Sequence, residues 1–471
     1  MRKVKVAILG AGSAGLTALG VVRKQTDDFV IVNEGWYGTT CARVGCMPSK
    51  VLIQIADDFD RLKKLTTEGI TGIENASVDT AAAMQRVRTL RDAFVGGVVK
   101  STDSLSEQQN LNGKAVFISP HQIEVSFADG HSEQIEAERI ILATGSRPVM
   151  PESWVQLGPQ VVTSDHFFEL ETLPKRVAVI GLGVIGLELG QAMARLGVEV
   201  IGIEMAETIA GISDPDIKEK ALTLLGEDMT IHLGVAAQLE KQADGIQVSA
   251  GQQRYEVDLV LVAMGRRPNV DKIGLENIGV PLDERGMPEI DPETMQIVGT
   301  DIYIAGDATG TKAILHEAAD EGRMAVQNAL DTLNNQSATQ YSARTPLAMA
   351  FTHPNIAFFG ARYCELNTDS IVIGEFDFNQ TGRPKVMMET DGLVRLYADK
   401  ASKKLLGGEM IAPRGEHLAH QLAWVTQLNV EVADILRLPF YHPNLEEGLR
   451  TALRQLAQQL YSPAEIELIL K

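Results

Sequence analysis

Val4-Lys5-Val6-Ala7-Ile8-Leu9-Gly10-Ala11-Gly12-Ser13-Ala14-Gly15, residues 4–15, is the stretch from which the fold is read. An apolar run of strand length ends in glycines and opens into a helix-compatible stretch, and Phe29-Val30-Ile31-Val32-Asn33-Glu34 follows. The segment reads as strand, helix, strand. Glycines at positions 10, 12 and 15 permit a tight turn around Ser13 and Ala14, and they let the backbone approach a pyrophosphate at the positive end of the helix. Glu34 closes the second strand, where an acid can accept hydrogen bonds from both hydroxyls of an adenosine ribose. Glycines alone would equally suit a bare strand-to-helix turn; the acid at the strand end is what favours a dinucleotide.

The same grammar returns at Val177-Ala178-Val179-Ile180, followed by Gly181-Leu182-Gly183-Val184-Ile185-Gly186, a helical stretch to Leu196, and a strand from Val198 to Glu204. Two such units mean two nucleotide-binding domains. Between them, residues 81–108 read as a long helix, and residues 115–145 as a meander returning to the buried strand Ile140-Ile141-Leu142-Ala143-Thr144-Gly145. Leu259-Val260-Leu261-Val262-Ala263-Met264-Gly265 echoes that strand, and each is followed by Arg-Pro, Arg147-Pro148 and Arg267-Pro268. Thr300-Asp301-Ile302-Tyr303-Ile304-Ala305-Gly306-Asp307 is another buried strand, followed by a helix near His316 to Leu330. Residues 331–344 are polar and read as a linker. From Thr345 the pattern changes to alternating strands with two helical stretches, a third domain of α+β type.

The chain has 471 residues, enough for about three domains. With 45% hydrophobic and 22% charged residues it has the composition of a soluble globular protein. Its 62 Asp+Glu against 43 Lys+Arg give a net charge of −19, a field that repels nucleic acid and anionic membrane surfaces, so neither is expected as a partner. The N-terminal apolar run is too short for a secretory signal, and a cytoplasmic location is expected. Three cysteines, two of them close together, do not make a secreted disulfide framework.

Those two lie in Cys41-Ala42-Arg43-Val44-Gly45-Cys46-Met47-Pro48-Ser49-Lys50. A helix beginning near Cys46 would favour a thiolate there through its N-terminal amides and dipole, and Gly45 eases a loop that brings Cys41 back onto Cys46. Two cysteines without a neighbouring Cys or His pair make a poor zinc site, and no metal is expected. The run resembles the redox-active motif of the FAD- and NAD-linked disulfide oxidoreductases, specifically their dihydrolipoamide dehydrogenase-like branch, and the likeness extends over essentially the whole chain. It implies an α/β fold of two Rossmann-like dinucleotide-binding domains plus a C-terminal α+β dimerisation domain. The corresponding division is residues 1–148 for the first part of the FAD-binding domain, 149–269 for the NAD-binding domain, 270–344 for the second, central part and 345–471 for the interface domain.

The resemblance further implies that Cys46 stacks against the flavin, that Cys41 is the interchange thiol, and that Lys50 stands near flavin N5. A fixed cation there favours the reduced, anionic flavin. The first fingerprint would hold FAD, with Thr40, Ala115, Thr144 and Gly145 contributing. Ile304-Ala305-Gly306-Asp307 resembles the family's second FAD motif, in which Asp307 would hold ribityl hydroxyls. Leu315 and His316 resemble the helix start whose backbone faces the flavin; His316 read alone is equally a packing residue. The second fingerprint, with Gly181, Gly183, Val184, Ile185, Gly186 and Gly265, would hold the nicotinamide nucleotide. Glu204 ends its second strand without a following Arg, and a carboxylate would repel a ribose 2′-phosphate, so NAD is expected rather than NADP. Glu188 would pair with Lys50 beside the nicotinamide; the alternative is a solvated helix glutamate.

Tyr441-His442-Pro443-Asn444-Leu445-Glu446-Glu447 carries a histidine suited to general acid/base work, with an acid five residues on. The resemblance implies that His442, oriented by Glu447, serves the active site of the other subunit, and hence a homodimer. The expected reaction takes electrons from a dithiol through Cys41–Cys46 and FAD to NAD. Dihydrolipoamide is the expected substrate, free or as a lipoyl group on another protein. Asn444, Phe440, Tyr441 and Arg43 depart from the usual motifs, which leaves other disulfides, a metal ion or a quinone as alternatives, and a non-catalytic NADH-binding sensor as a rival of a different class. Cys364 reads as a packed core thiol, and the Leu470-Lys471 end shows no further redox centre.

Overall fold

The computed structural model describes residues 1–311 and 313–469; the Leu470-Lys471 end lies outside the described residues. The chain forms two compact units, the first from residues 1–48, 86–149 and 265–343, the second from 49–85, 150–264 and 344–471.

The first unit is built on parallel strands in the order Phe29–Asn33, Arg2–Leu9, Ser132–Leu142, Ile302–Ile304. Strands Asn110–Ser119 and Gln122–Phe127 form an antiparallel meander with the start of Ser132–Leu142. Successive side chains of a strand face opposite ways, so Arg2–Leu9 serves two cores at once. Val6 and Ile8 pack with Ala14, Ala18 and Leu19 of the helix Ser13–Val22 and with Ala325, Val326 and Ala329 of the helix Leu315–Leu333. Ala7 and Leu9 face the meander residues Phe117, Ile123 and Val125. Cover on both faces is why the strand is continuously apolar from Val6 to Leu9. The two helices touch at backbone distance: a Cβ on Gly322 would lie 2.3 Å from the Ala14 carbonyl oxygen.

In the second unit five parallel strands run in the order Thr230–His232, Glu199–Ile203, Arg176–Ile180, Leu259–Val262, Val161–Thr163. A separate meander, Ala237–Gln242, Gly245–Ala250 and Gln253–Val257, covers one face by setting Ile246, Val248 and Val257 against Ala178, Ile201 and Val260. Beyond residue 346 an antiparallel sheet follows in the order Leu347–Ala350, Asn355–Gly360, Leu405–Ala412, Leu393–Asp399, Ile371–Asp377. The helix Glu446–Leu460 sits directly on its edge strand, because Gly374 admits the Ala452 oxygen where a Cβ would stand 2.2 Å away. Five α-helices rather than two accompany this sheet among the described residues. The three unforeseen ones, Gly382–Met387, Val432–Leu436 and Pro463–Ile469, hold 6, 5 and 7 residues, too few to leave a helical period in the sequence. The helix expected over 81–108 occupies Thr80–Asp103, after which the chain turns, with the Gln109 N–H donating to the Ser106 oxygen at 2.9 Å.

Close helix contact in the first unit makes a specific demand on stability. Gly322→Ala is expected to destabilise the protein by about 1–3 kcal/mol through overpacking. Gly20→Ala, in a helix position with nothing within 4 Å, should be neutral or stabilising. Urea unfolding of both variants decides the matter, and equal effects would discard the backbone-contact account.

Candidate functional site

Both glycine fingerprints fold the same way for the same steric reason. Gly10 has φ +110° and a Cβ on it would fall 2.2 Å from the Ala143 oxygen; one on Gly15 would fall 1.9 Å from the Gly10 oxygen. Gly181 has φ +94° with the Ala263 oxygen at 2.4 Å, and Gly186 would meet the Gly181 oxygen at 1.9 Å. Gly12 and Gly183 are the N-caps of the helices beginning at Ser13 and Val184, and no side chain caps either helix. The unsatisfied N–H groups and the positive helix end are thus left for an anion. Val184 and Ile185 form the first turn of the second helix, and Gly265, φ +98°, follows the neighbouring strand.

At the end of the second strand the structure turns Asn33, and not Glu34, toward the first glycine turn. Leu9 pairs with Val32 and Ile180 with Ile203, so the next residue along is Asn33 in one fold and Glu204 in the other. The spacing from the first glycine is the same, 33 − 10 = 23 and 204 − 181 = 23. Asn33 Oδ1 accepts from the Ala11 N–H at 3.0 Å, and Glu204 Oε2 accepts from the equivalent Leu182 N–H at 2.8 Å. Glu204 Oε1 also accepts from the Ala206 N–H at 2.9 Å. Glu34 stands one residue farther on and is exposed. A strand alternates, so a shift of one residue moves a side chain off the site. The internal repeat itself held the signal: counting from each first glycine finds Asn33.

Among the other candidate residues, Asp307 is the second residue of the short helical turn Gly306–Thr309 and its Oδ2 accepts from Ser146 Oγ at 2.6 Å. Arg266 Nε donates to the same Ser146 oxygen at 2.8 Å, and Glu321 Oε2 accepts from the Gly306 N–H at 2.7 Å. Gly145 has φ +68°, and beside it Thr144 Oγ1 is buried with no hydrogen-bond partner. Ala115 pairs with Val125 inside the meander, while Thr40, Leu315 and His316 are exposed at helix starts. Exposure removes the packing alternative for His316.

Cys41 lies half-buried in the short helix Thr40–Val44, and Cys46 is the exposed first residue of the helix Cys46–Leu65. Thr39 caps the first helix by accepting from the Ala42 N–H at 3.2 Å. A Cβ on Gly45 would stand 3.1 Å from the Thr40 oxygen, so this residue lets the two helices follow each other closely. Arg43 donates from Nη2 and Nε to the Tyr37 oxygen at 2.9 and 3.1 Å, with its guanidinium 4.7 Å from the Trp36 ring centre. Arg43 therefore ties the preceding loop to the cysteine segment.

Lys50 lies one turn after Cys46. Its Nζ donates to Glu188 Oε2 at 2.7 Å and stands 4.3 Å from the centre of the Phe351 ring. Glu188, 4% exposed, is not a solvated helix glutamate. Its second oxygen accepts from the Phe351 N–H at 2.9 Å, which satisfies the buried carboxylate. His442 is 80% exposed, and its Nδ1 bonds Glu447 Oε1 at 2.9 Å. The Asn444 N–H donates to the other Glu447 oxygen at 3.3 Å. The bond from His442 holds the Glu447 carboxyl below the usual carboxylate range, which leaves Nε2 as the imidazole nitrogen available for proton transfer. Cys364 is exposed on a single helical turn after the strand Asn355–Gly360, and so is not the core thiol its residue type suggested. No group of three His, Cys, Asp or Glu side chains suited to a metal ion occurs among the described residues. No helix among them is long and apolar enough to cross a membrane.

This arrangement defines a class of protein, the pyridine nucleotide-disulphide oxidoreductases, and the chain belongs to that family. The family's sequence pattern matches residues 4–332, and that of its dimerisation domain residues 347–453. The mitochondrial dihydrolipoyl dehydrogenase of Dictyostelium discoideum is 30% identical over 467 residues, covering 95% of this chain and 93% of the relative. The dihydrolipoyl dehydrogenase of Geobacillus stearothermophilus is 28% identical, with 93% of each chain covered. Among solved structures, the HOCl-induced flavoprotein disulfide reductase RclA of Escherichia coli superposes with a TM-score of 0.82 at 22% identity, covering 96% of this chain and 99% of that one. LpdA of Mycobacterium tuberculosis gives 0.82 at 24% identity, covering 97% and 100%. The protein is an FAD-dependent oxidoreductase of the dihydrolipoyl dehydrogenase-like group, and its cofactors are FAD and NAD(H). The partnerless, buried Thr144 hydroxyl beside turns that only glycine fits suits an oxygen-rich dinucleotide in the first fold.

Asn33 and Glu34 give opposite expectations for flavin retention. Asn33→Ala should weaken FAD binding to the apoprotein about tenfold by removing a hydrogen-bonding group, and Glu34→Ala should change it less than twofold. Titration of apoprotein with FAD, followed by quenching of flavin fluorescence, measures both; the reverse ranking would return the ribose position to Glu34.

Proposed function

We propose that this enzyme oxidises a small dithiol of the dihydrolipoamide class, free or carried on another protein, and delivers the electrons to NAD. The single observation that carries the reading is the helix whose first residue is Cys46 and whose fifth, Lys50, is fixed against the buried carboxylate of Glu188. Two relatives that match over nearly the whole chain, the dihydrolipoyl dehydrogenases named above, support the choice of dithiol.

In this scheme Cys41 and Cys46 enter as a disulfide. His442 Nε2 takes the proton of a substrate thiol, and the resulting thiolate attacks Cys41 Sγ, so that an S–S bond forms to the substrate while the Cys41–Cys46 bond breaks. The second substrate thiolate then displaces Cys41, which leaves an oxidised substrate disulfide and a reduced enzyme pair. Bound FAD would supply the two-electron chemistry that links the reduced pair to NAD. Cys46, at the helix start, is stabilised as a thiolate, and Lys50 supplies a fixed positive charge. Gly10, Gly12, Gly15, Asn33, Thr144, Gly145 and Asp307 are assigned to FAD, and Gly181, Gly183, Gly186 and Glu204 to NAD. The Glu204 carboxylate disfavours a 2′-phosphate and so favours NAD over NADP. With these assignments we keep the division into residues 1–148 and 270–344 for FAD, 149–269 for NAD and 345–471 for dimerisation.

Because the chain carries a dimerisation domain, a homodimer is supported. In it His442, with Glu447 behind it, is assigned to the site of the partner subunit, which agrees with its high exposure in a single chain.

Purified holoenzyme mixed with dihydrolipoamide and NAD should form NADH. Cys41→Ser and Cys46→Ser should each abolish it, and His442→Gln should lower kcat about a hundredfold, the usual worth of a general base. Full dithiol turnover by Cys46→Ser ends the scheme. Turnover only with glutathione disulfide or a quinone moves the substrate, and turnover of none of them leaves a redox sensor.

A further inference from the structure

The helix Val184–Arg195 presents Glu188, Gln191 and Arg195 along one face, spaced by three and four residues, and they are 4%, 4% and 8% exposed. Three buried polar side chains in a row need an explanation, and their partners provide one. Glu188 accepts from the Phe351 N–H at 2.9 Å. Gln191 Oε1 accepts from the His353 N–H at 2.8 Å, and its Nε2 donates to the His353 oxygen at 2.9 Å and to Asp228 at 2.8 Å. Arg195 Nη2 donates to the same His353 oxygen at 2.8 Å. Alternate residues of an extended chain point their polar groups to one edge. The helix face thus substitutes for a missing neighbouring strand, and it holds the segment that continues the strand Leu347–Ala350 and carries the Phe351 ring over Lys50.

The same face grips the helix Cys46–Leu65 at two points seven residues apart. Lys50 meets Glu188 at 2.7 Å, and Asp57 Oδ1 accepts from Arg195 Nη1 at 2.9 Å. The charges are reversed between the two contacts. A slip of the helices by two turns would set Lys50 against Arg195, or Asp57 against Glu188, and like charges repel. Arg195 is itself braced by Asp228, which accepts from Nε at 3.1 Å. His353 adds no competing charge: burial, then Arg195, Lys64 and Arg414, push its imidazole down to about 4. Asp57 has the opposite need, since burial pushes its carboxyl up to about 6 while Arg195 opposes that rise.

We infer that Gln191 and Arg195 are positioning residues for the Lys50–Glu188 pair: they fix the Phe351 segment and, through Asp57, the register of the helix that carries Cys46 and Lys50. This rests on the role proposed above for that pair at the flavin.

A double-mutant cycle tests it on the holoenzyme, with the two-electron reduction potential of the bound flavin as the readout. Glu188→Gln should shift the potential. Arg195→Lys keeps the charge but cannot make the three-way contact, and should shift it in the same direction, with kcat down about tenfold and KM for NAD within twofold. Combined with Glu188→Gln, it should add no further shift. Gln191→Leu is the second variant, and is decisive if Arg195→Lys does not fold. A wild-type potential in Arg195→Lys or Gln191→Leu while Glu188→Gln shifts it overturns the inference and leaves the role of the pair intact. So does a shift of equal size in both backgrounds. No shift in Glu188→Gln removes that role, and the inference with it.

Discussion

A carboxylate buried inside a protein is costly, and the second unit must satisfy one beside Lys50. Glu188 is 4% exposed, and both of its oxygens are engaged, by the Lys50 ammonium and the Phe351 N–H. Removing an ion from water costs several kcal/mol, which such a pair recovers only with good geometry, so stability is a weak reason to have it. Position is the better reason. Charge-assisted bonds of 2.7 and 2.9 Å hold the lysine where a mobile side chain would otherwise sample many rotamers, and a charge that acts by electrostatics must be held in place before the reaction.

Duplicated nucleotide folds solve one steric problem twice and then diverge. Gly10 and Gly181, like Gly15 and Gly186, stand where any Cβ would overlap a carbonyl oxygen, so these positions accept no other residue without moving backbone. The position after Val32 and Ile203 carries no such restriction. It requires a side-chain oxygen to take the N–H of Ala11 or Leu182, and an amide or a carboxylate serves equally. The charge at that position was therefore open to change, and the two folds differ there, Asn33 being neutral and Glu204 anionic.

His442 shows the reverse relation between burial and chemistry. It is held by one bond to Glu447 and is otherwise exposed, with Tyr441 beside it also 80% exposed. In the role proposed for it, a base in open water would have little to orient a substrate against, and the partner subunit that a dimerisation domain supports would supply that surface.

Steric rules of short range made most of the fold legible in the sequence. Glycine spacing, apolar strands and the cysteine run specify local geometry, because tight turns and helix starts depend on residues a few positions apart. Five-residue helices such as Val432–Leu436 were not legible, since they leave no period, and neither was the exposed place of Cys364, since a cysteine is as compatible with a surface turn as with a core. That Asn33 and not Glu34 bonds the Ala11 N–H was not legible either, because the end of a strand is set by its pairing with the neighbouring strand. That Gln191 and Arg195 act on a loop some 160 positions away in sequence was decided only by tertiary structure. No local pattern encodes which backbone edge a helix face must satisfy; only the packed chain brings the unmet N–H and C=O groups of Phe351 and His353 against it.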